Sequence, residues 1–73
     1  MAKEPGARLW AWVKLKEGRN ARISLYKDLV FVDLSCYDID SGHKHANAEG
    51  PTLARAVDNV FEVWKIMYER KGR

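Results

Sequence analysis

The sequence has one cysteine and no long apolar run, and each of these scarcities excludes a class of protein. A lone Cys36 excludes a disulfide within the chain. No stretch approaches the ~18 consecutive apolar residues that a membrane-spanning helix requires, so no membrane association is expected. Residues 1–6 lack the apolar core of a secretory signal. With no targeting segment and one unpaired thiol, we expect a cytoplasmic protein.

The residue sets that perform enzyme chemistry or bind cofactors are also missing. The sequence contains no glycine-rich phosphate loop, no serine–histidine–aspartate set and no calcium-loop spacing. His43 and His45 would share one face of a strand, but we find no third ligand beside them and interpret them as surface residues without a metal. A chain of 73 residues leaves little volume for a ligand pocket of ~300 Å³. We therefore expect no enzyme, no cofactor and no small-molecule substrate.

Size and composition favour one small domain that associates with a second copy of itself. Hydrophobic residues make up 47% of the 73 residues, which is typical of a single globular domain. In so short a chain, apolar burial at ~25 cal/mol per Å² roughly cancels an ordering cost of ~1.5 kcal/mol per residue. Disulfides and metals are excluded as compensation, so a homodimer is expected. The net charge of +3 suits nucleic acid or an acidic protein without requiring either.

Alternation of apolar and polar residues predicts a sheet of three to four antiparallel strands after a flexible N-terminal arm. The arm is residues 1–7, and the strands are residues 8–16, 20–26, 29–39 and 43–48. The turns between them are residues 17–19, 27–28 and 40–42, with Gly18 able to adopt a positive φ. Pairing the strands through these turns brings their apolar side chains onto one face. Cys36 falls on that face, and we interpret it as a core residue and not a nucleophile.

A C-terminal amphipathic helix completes the predicted fold. Thr52 is a suitable N-cap after Gly50 and Pro51, and apolar residues recur at helical spacing from Leu53 onwards. The sequence therefore predicts an α+β domain over residues 8–73, with the helix packed on one face of an antiparallel meander. The apolar stripe is wider than one small sheet needs, which leaves residues 61 and 63 at its edges for a second helix in a dimer.

The other face of the predicted sheet is rich in aromatic and basic side chains. An exposed apolar cluster with aromatic anchors is typical of an interface, so we predict that it binds a partner. An alternative is that the N-terminal arm or a second copy covers the tryptophans. The predicted partner-binding residues are Trp10, Trp12, Tyr26, Leu29 and Phe31. The predicted basic band, which would face protein or nucleic acid, consists of Arg8, Lys14, Lys16, Arg19 and Arg22.

Two functional hypotheses follow from this face. The first is a small non-enzymatic protein that binds another protein. The start of the helix is similar to helix starts in phage or mobile-element modulators of host machinery, such as inhibitors of RNA polymerase or of CRISPR effectors. That similarity lies in residues 50–56, Gly-Pro-Thr-Leu-Ala-Arg-Ala. The second is single-stranded nucleic-acid binding, in which aromatics stack on bases and cations neutralise phosphates. The layout of a four-stranded sheet followed by a helix resembles the single-strand-binding transcriptional coactivator family, with no family residue carried over.

Overall fold

The computed structural model describes residues 4–40 and 42–69. Along the chain, one helix precedes a three-stranded antiparallel sheet and a second helix follows it. The elements are α1 (Pro5–Lys14), β1 (Arg19–Tyr26), β2 (Leu29–Asp38), β3 (Gly42–Gly50) and α2 (Leu53–Trp64), followed by a π-helical turn (Lys65–Glu69). The predicted α+β class, the meander and the C-terminal helix on one sheet face are confirmed, with three strands. Among the described residues, no helix has both the length and the apolar character needed to cross a membrane.

The first element is a helix, so the prediction of a strand over residues 8–16 is wrong. Glu4 is the N-cap residue and Pro5 occupies the first helical turn, where proline's fixed φ and missing N–H cost nothing. Leu9, Trp12 and Val13 stand at helical spacing, and they face the interior although the same segment also alternates. Because α1 already begins at Pro5, the predicted arm is too long. Its residues 1–3 lie outside the described part of the chain.

The remaining strands pair closely to expectation at the first hairpin. Lys27 and Asp28 form the predicted two-residue turn, with Tyr26 paired to Leu29. The predicted apolar rows are found as Ala21–Leu34, Ile23–Val32 and Leu25–Val30. The layout therefore differs from a four-stranded sheet followed by a helix only by the exchange of the first strand for α1.

The second hairpin is shifted by two residues from the predicted register. Leu34 pairs with Ala46 and Cys36 with Lys44, whereas the sequence predicted Ala48 opposite Leu34. The turn begins one residue early because the Asp38 carboxylate accepts a hydrogen bond of 2.9 Å from the Asp40 N–H. Such an aspartate turn competes with further strand pairing. A shift of two preserves the faces, so the core prediction survives.

Helix α2 begins as predicted and is covered on its wide stripe by two elements. The Thr52 hydroxyl accepts a hydrogen bond of 3.2 Å from the Arg55 N–H, which caps the helix. One part of the stripe packs on β2 and β3. Phe61, at the edge of the stripe, packs against Trp12 of α1. The second helix that the wide stripe required is thus supplied by the same chain.

The core is a single cluster on the helix side of the sheet, and Trp12 lies where α1, α2 and β1 meet. Its indole makes edge contacts with Trp64 at 5.1 Å and Phe61 at 6.3 Å between ring centroids. The Arg19 guanidinium lies 4.4 Å over the same ring and donates a 3.1 Å hydrogen bond to the Trp12 carbonyl. The buried residues are Leu9, Trp12, Val32, Leu34, Cys36, Ala46, Ala56, Val57, Val60 and Trp64.

Gly18 makes the turn from α1 into β1 possible. Its φ is +88°, a conformation that favours glycine, and its carbonyl accepts a 3.1 Å hydrogen bond from the Tyr37 N–H. A Cβ at this position would lie 2.6 Å from the Tyr37 carbonyl oxygen. Gly42 also has a positive φ of +83°, but a Cβ there would meet nothing within 4 Å. The two glycines therefore share one backbone requirement and differ in steric freedom.

Replacing Trp12 with alanine should lower the free energy of unfolding by about 3–5 kcal/mol, since a large buried side chain is lost and α1 loses its contact with α2. Leu15→Ala, at the exposed C-terminal end of the same helix, should change it by less than about 0.5 kcal/mol. Urea unfolding followed by circular dichroism measures both. Equal effects of the two substitutions would contradict the placement of Trp12 in the core.

Gly18→Ala should destabilise the fold more than Gly42→Ala. Both substitutions incur a left-handed backbone cost of about 1–2 kcal/mol, and only Gly18→Ala adds a clash with the Tyr37 carbonyl. Thermal unfolding of the two variants should give a clearly lower Tm for Gly18→Ala. A Gly42→Ala variant with the lower Tm would refute this account of the first turn.

Candidate functional site

The face of the sheet opposite the helices is open among the described residues. Side chains alternate across a strand, and the members of the core lie on the helix side, so the residues between them face outwards. Uncovered faces of antiparallel sheets are usually polar. Here one end of the open face is apolar and aromatic. We call this end the aromatic end, and it consists of Tyr26, Leu29 and Phe31.

The aromatic end is built by the first hairpin. Tyr26 and Leu29 are a cross-strand pair beside the two-residue turn, and Tyr26 is 62% exposed. Phe31 follows on β2, paired with Ser24 on one side and with Glu49 on the other. Leu29 and Phe31 are half-buried. The aromatic end is therefore a patch held by backbone pairing on both sides of Phe31.

The two predicted tryptophans do not belong to this patch. The sequence placed Trp10 and Trp12 on a strand beside Tyr26, and that placement is wrong because the segment is helical. Trp12 is buried in the core, while Trp10 is 61% exposed on α1. Tyr26, Leu29 and Phe31 remain together as predicted neighbours. The partner-binding set is thus divided between two surfaces and the interior.

The middle of the open face is polar and contains a pair that sequence reasoning missed. His45 Nε2 lies 2.6 Å from Asp33 Oδ1, and the His43 ring stacks on the His45 ring at 6.2 Å. The two-residue shift of β3 brings this histidine beside a carboxylate, which is why the predicted register did not reveal the pair. Arg22 is the cross-strand neighbour of Asp33 on β1. No group of three or more histidine, cysteine or acidic residues in the described part of the chain could hold a metal ion.

Two residues of the predicted basic band are engaged in ion pairs on the helix side or at the turns. Arg8 pairs with Asp58 of α2 and lies 5.2 Å over the Phe61 ring. Lys16 Nζ lies 3.0 Å from Asp38 Oδ2. The hydrogen bond and the charge of this carboxylate raise the pKa of Lys16 above its usual value. Both cations thus connect the first segment of the chain to the rest of the fold.

The other members of the basic band are spread over different surfaces. Arg19 is turned onto Trp12, and Lys14 lies 5.5 Å over the Trp10 ring on α1. Only Arg22 shares the open face with the aromatic end. The predicted band depended on a first strand beside β1, and it does not form because that strand is a helix.

The outer edge of β3 is closed by the C-terminal helical segment. The Tyr68 hydroxyl accepts a hydrogen bond from the His45 N–H and donates one to the His45 carbonyl, each 2.9 Å long. Asn59 Nδ2 donates a 2.9 Å hydrogen bond to the Glu49 carbonyl. A free strand edge offers such groups to other strands. At β3, side chains of this same chain occupy three of them.

Comparison with known proteins adds no relative to these observations. Family models, curated proteins and solved structures gave no match to the chain.

Tyr68→Phe should open the β3 edge without removing the ring. The ring still packs on Trp64 at 4.7 Å, so the expected loss of stability is that of the two hydrogen bonds, about 1–2 kcal/mol. The His45 amide should exchange its hydrogen faster, which NMR measures. Tyr37→Phe removes an exposed hydroxyl and serves as the control. Unchanged protection of the His45 amide would show that Tyr68 does not close this edge.

Proposed function

We propose that the chain is a non-enzymatic binding protein that acts through protein–protein contacts at the aromatic end. The observation that supports this proposal is the exposure of Tyr26 beside Leu29 and Phe31 on a sheet face that no described residue covers. Aromatic side chains in a partly buried patch are the anchors that interfaces use most. Strand pairing holds them in place, so little ordering cost remains on binding.

The charges around the patch favour a protein partner over a nucleic acid. The open face carries Arg22 together with Asp33 and Glu49, so its fixed charges are not predominantly positive. Single-strand binders follow the phosphate backbone with a basic groove. Arg8 and Lys16, which would have supplied positive charge, are paired with carboxylates elsewhere. Stacking residues are therefore present without the band of cations that such binding needs.

A modulator of host machinery is the specific form of this function that we propose to test first. It rests on the similarity of residues 50–56 to helix starts in phage and mobile-element modulators. The segment forms the capped start of α2, on the opposite side of the sheet from the aromatic end. Purified RNA polymerase and purified CRISPR effector complexes are accordingly the defined partners to assay for binding and for inhibition.

Tyr26→Ala should weaken partner binding by tenfold or more, since an anchor residue at an interface contributes about 2 kcal/mol. Tyr37→Ala is a matched control because Tyr37 is also 62% exposed, on the same face but at its other end. It should change the affinity by less than twofold. Calorimetry or interferometry with the purified complexes measures both variants.

The nucleic-acid alternative is separated by the same variants and by salt. A labelled single-stranded oligonucleotide, titrated at low salt, should show no binding under the proposal. Affinity for the oligonucleotide that falls steeply as salt rises would replace the protein-binding proposal with the nucleic-acid one. Equal loss of protein binding in Tyr26→Ala and Tyr37→Ala would remove the aromatic end from the proposal.

A further inference from the structure

The outer edge of β1 presents backbone groups that no described residue occupies. The Tyr37 N–H donates to the Gly18 carbonyl, so the pair 18–37 is hydrogen-bonded, and alternate pairs along β1 follow it. Residues 20, 22, 24 and 26 therefore direct their N–H and C=O groups to β2. The intervening residues, Ala21, Ile23 and Leu25, direct theirs away from the sheet. This edge is the counterpart of the β3 edge, which Tyr68 and Asn59 close.

The side chains along the β1 edge are apolar and exposed. Leu25 is 76% exposed and Ile23 is 41% exposed, both on the helix side of the sheet. A groove of about 320 Å³ lies between α1 and the first half of β1, and Leu25 stands beyond it. Its lining is Gly6, Leu9, Trp10, Val13, Arg19, Asn20, Ala21 and Ile23. The edge thus combines a groove at one end with a protruding leucine at the other.

We propose that β1 pairs with β1 of a second copy in antiparallel orientation, with Ile23 on the two-fold axis. In this register Leu25 of one copy lies opposite Ala21 of the other, so the protruding leucine enters the second copy's groove above its smallest strand residue. Residues 21, 23 and 25 direct their backbone groups away from β2, so the pairs 21–25, 23–23 and 25–21 are those that exchange backbone hydrogen bonds between the two copies. Two three-stranded sheets become one sheet of six strands, with all the helices on one face.

The charges on β1 select this register from its neighbours. With Ile23 on the axis, Arg22 lies opposite Ser24 of the second copy and Asn20 lies opposite Tyr26, so no two like charges oppose each other over residues 20–26. Beyond them Arg19 falls opposite Lys27 of the turn, but its guanidinium is directed onto Trp12 of its own copy. A register centred on Arg22 sets the two Arg22 side chains opposite one another, which is unfavourable. A register centred on Ser24 shortens the pairing and moves Leu25 away from Ala21. A shift by an odd number turns the apolar side chains to the wrong face.

The two helices α1 would not collide in this arrangement. The groove places α1 along the first half of β1, and the two-fold axis passes through Ile23 in the middle of the strand. The second copy's α1 consequently lies over the other half, where Leu25 is exposed. On the opposite face, the two aromatic ends become parts of one continuous surface. The dimer uses the backbone edge and the helix-side side chains of β1, whereas the aromatic end lies on the open face, so the dimer can fail while the proposed function holds.

Sedimentation over a wide range of protein concentration tests the dimer directly. The unmodified chain should be a dimer, and Leu25→Asp should raise the dissociation constant by at least tenfold because a carboxylate would replace the leucine that packs on the apolar side chains of the groove. Ile39→Asp is the control, since Ile39 is 87% exposed in the turn between β2 and β3. It should leave the dissociation constant unchanged. Circular dichroism of each variant establishes that the monomer fold is intact.

Single-cysteine variants in a Cys36→Ala background test the register. Ile23→Cys should form an intermolecular disulfide on mild oxidation, because paired Cα atoms on the axis would lie ~5.5 Å apart, within disulfide reach. Leu25→Cys should not, since its two copies would be separated by four residues along the strand, or ~13 Å. The readout is the dimer band on a non-reducing gel.

The outcomes divide cleanly. A dimer weakened by Leu25→Asp and linked through Ile23→Cys supports the proposal. A monomer at all concentrations overturns it and leaves partner binding by the aromatic end untouched. A dimer that is indifferent to Leu25→Asp, or that is linked through Leu25→Cys in preference to Ile23→Cys, also overturns it, because it would use another surface or register.

Discussion

The contacts of Trp12 fix the position of α1, and the position of α1 decides which faces of the sheet and of α2 are exposed. The indole contacts both Trp64 and the Arg19 guanidinium, and Arg19 also donates a hydrogen bond to the carbonyl of Trp12. The buried indole N–H has no hydrogen-bond partner among the described residues, which costs about 1–3 kcal/mol. Burial of ~150–250 Å² at ~25 cal/mol per Å² contributes about 4–6 kcal/mol, so packing outweighs the missing bond.

Docking α1 on the helix side has a direct consequence for function. Helix α1 covers the part of α2 that would otherwise face solvent, and Trp12 of α1 contacts Phe61 of α2 there. Both helices then lie on one face and the other face stays open among the described residues. An open face whose middle holds Arg22, Asp33 and His45 can remain in water, since polar groups there keep their hydration. The aromatic end has no such reason to be exposed, which is the physical basis for proposing that it binds a partner.

The sequence was informative where side-chain period and turn chemistry agreed. From residue 20 to residue 38 the period of two, the Lys27–Asp28 turn and the apolar rows all point to one hairpin, and the structure has it. The second hairpin keeps the predicted faces but is shifted by two residues. Residues 8–16 alternate equally well, but Leu9, Trp12 and Val13 satisfy helical spacing too. The signals that favoured a helix were Pro5 after Glu4 and the good helix formers Ala7, Arg8 and Ala11. The same pattern placed Trp10 and Trp12 on a strand, so the predicted site included two tryptophans that do not lie on the sheet.

The closure of β3 could not have been predicted in the same way. Tyr68 reaches the His45 backbone from a π-helical turn, and no periodicity of the sequence specifies where a helix widens. That closure nevertheless makes the two edges of the sheet unlike. Natural sheets protect free edges with charge, proline, bulges or covering elements. On its helix side β1 has no charge, proline or bulge over Ala21, Ile23 and Leu25, and α1 lies along its first half. The exposed apolar side chains there favour pairing with an extended segment. Tyr68 and Asn59 close the β3 edge, whereas the β1 edge is apolar. The β1 edge is therefore the one at which a further strand can extend the sheet.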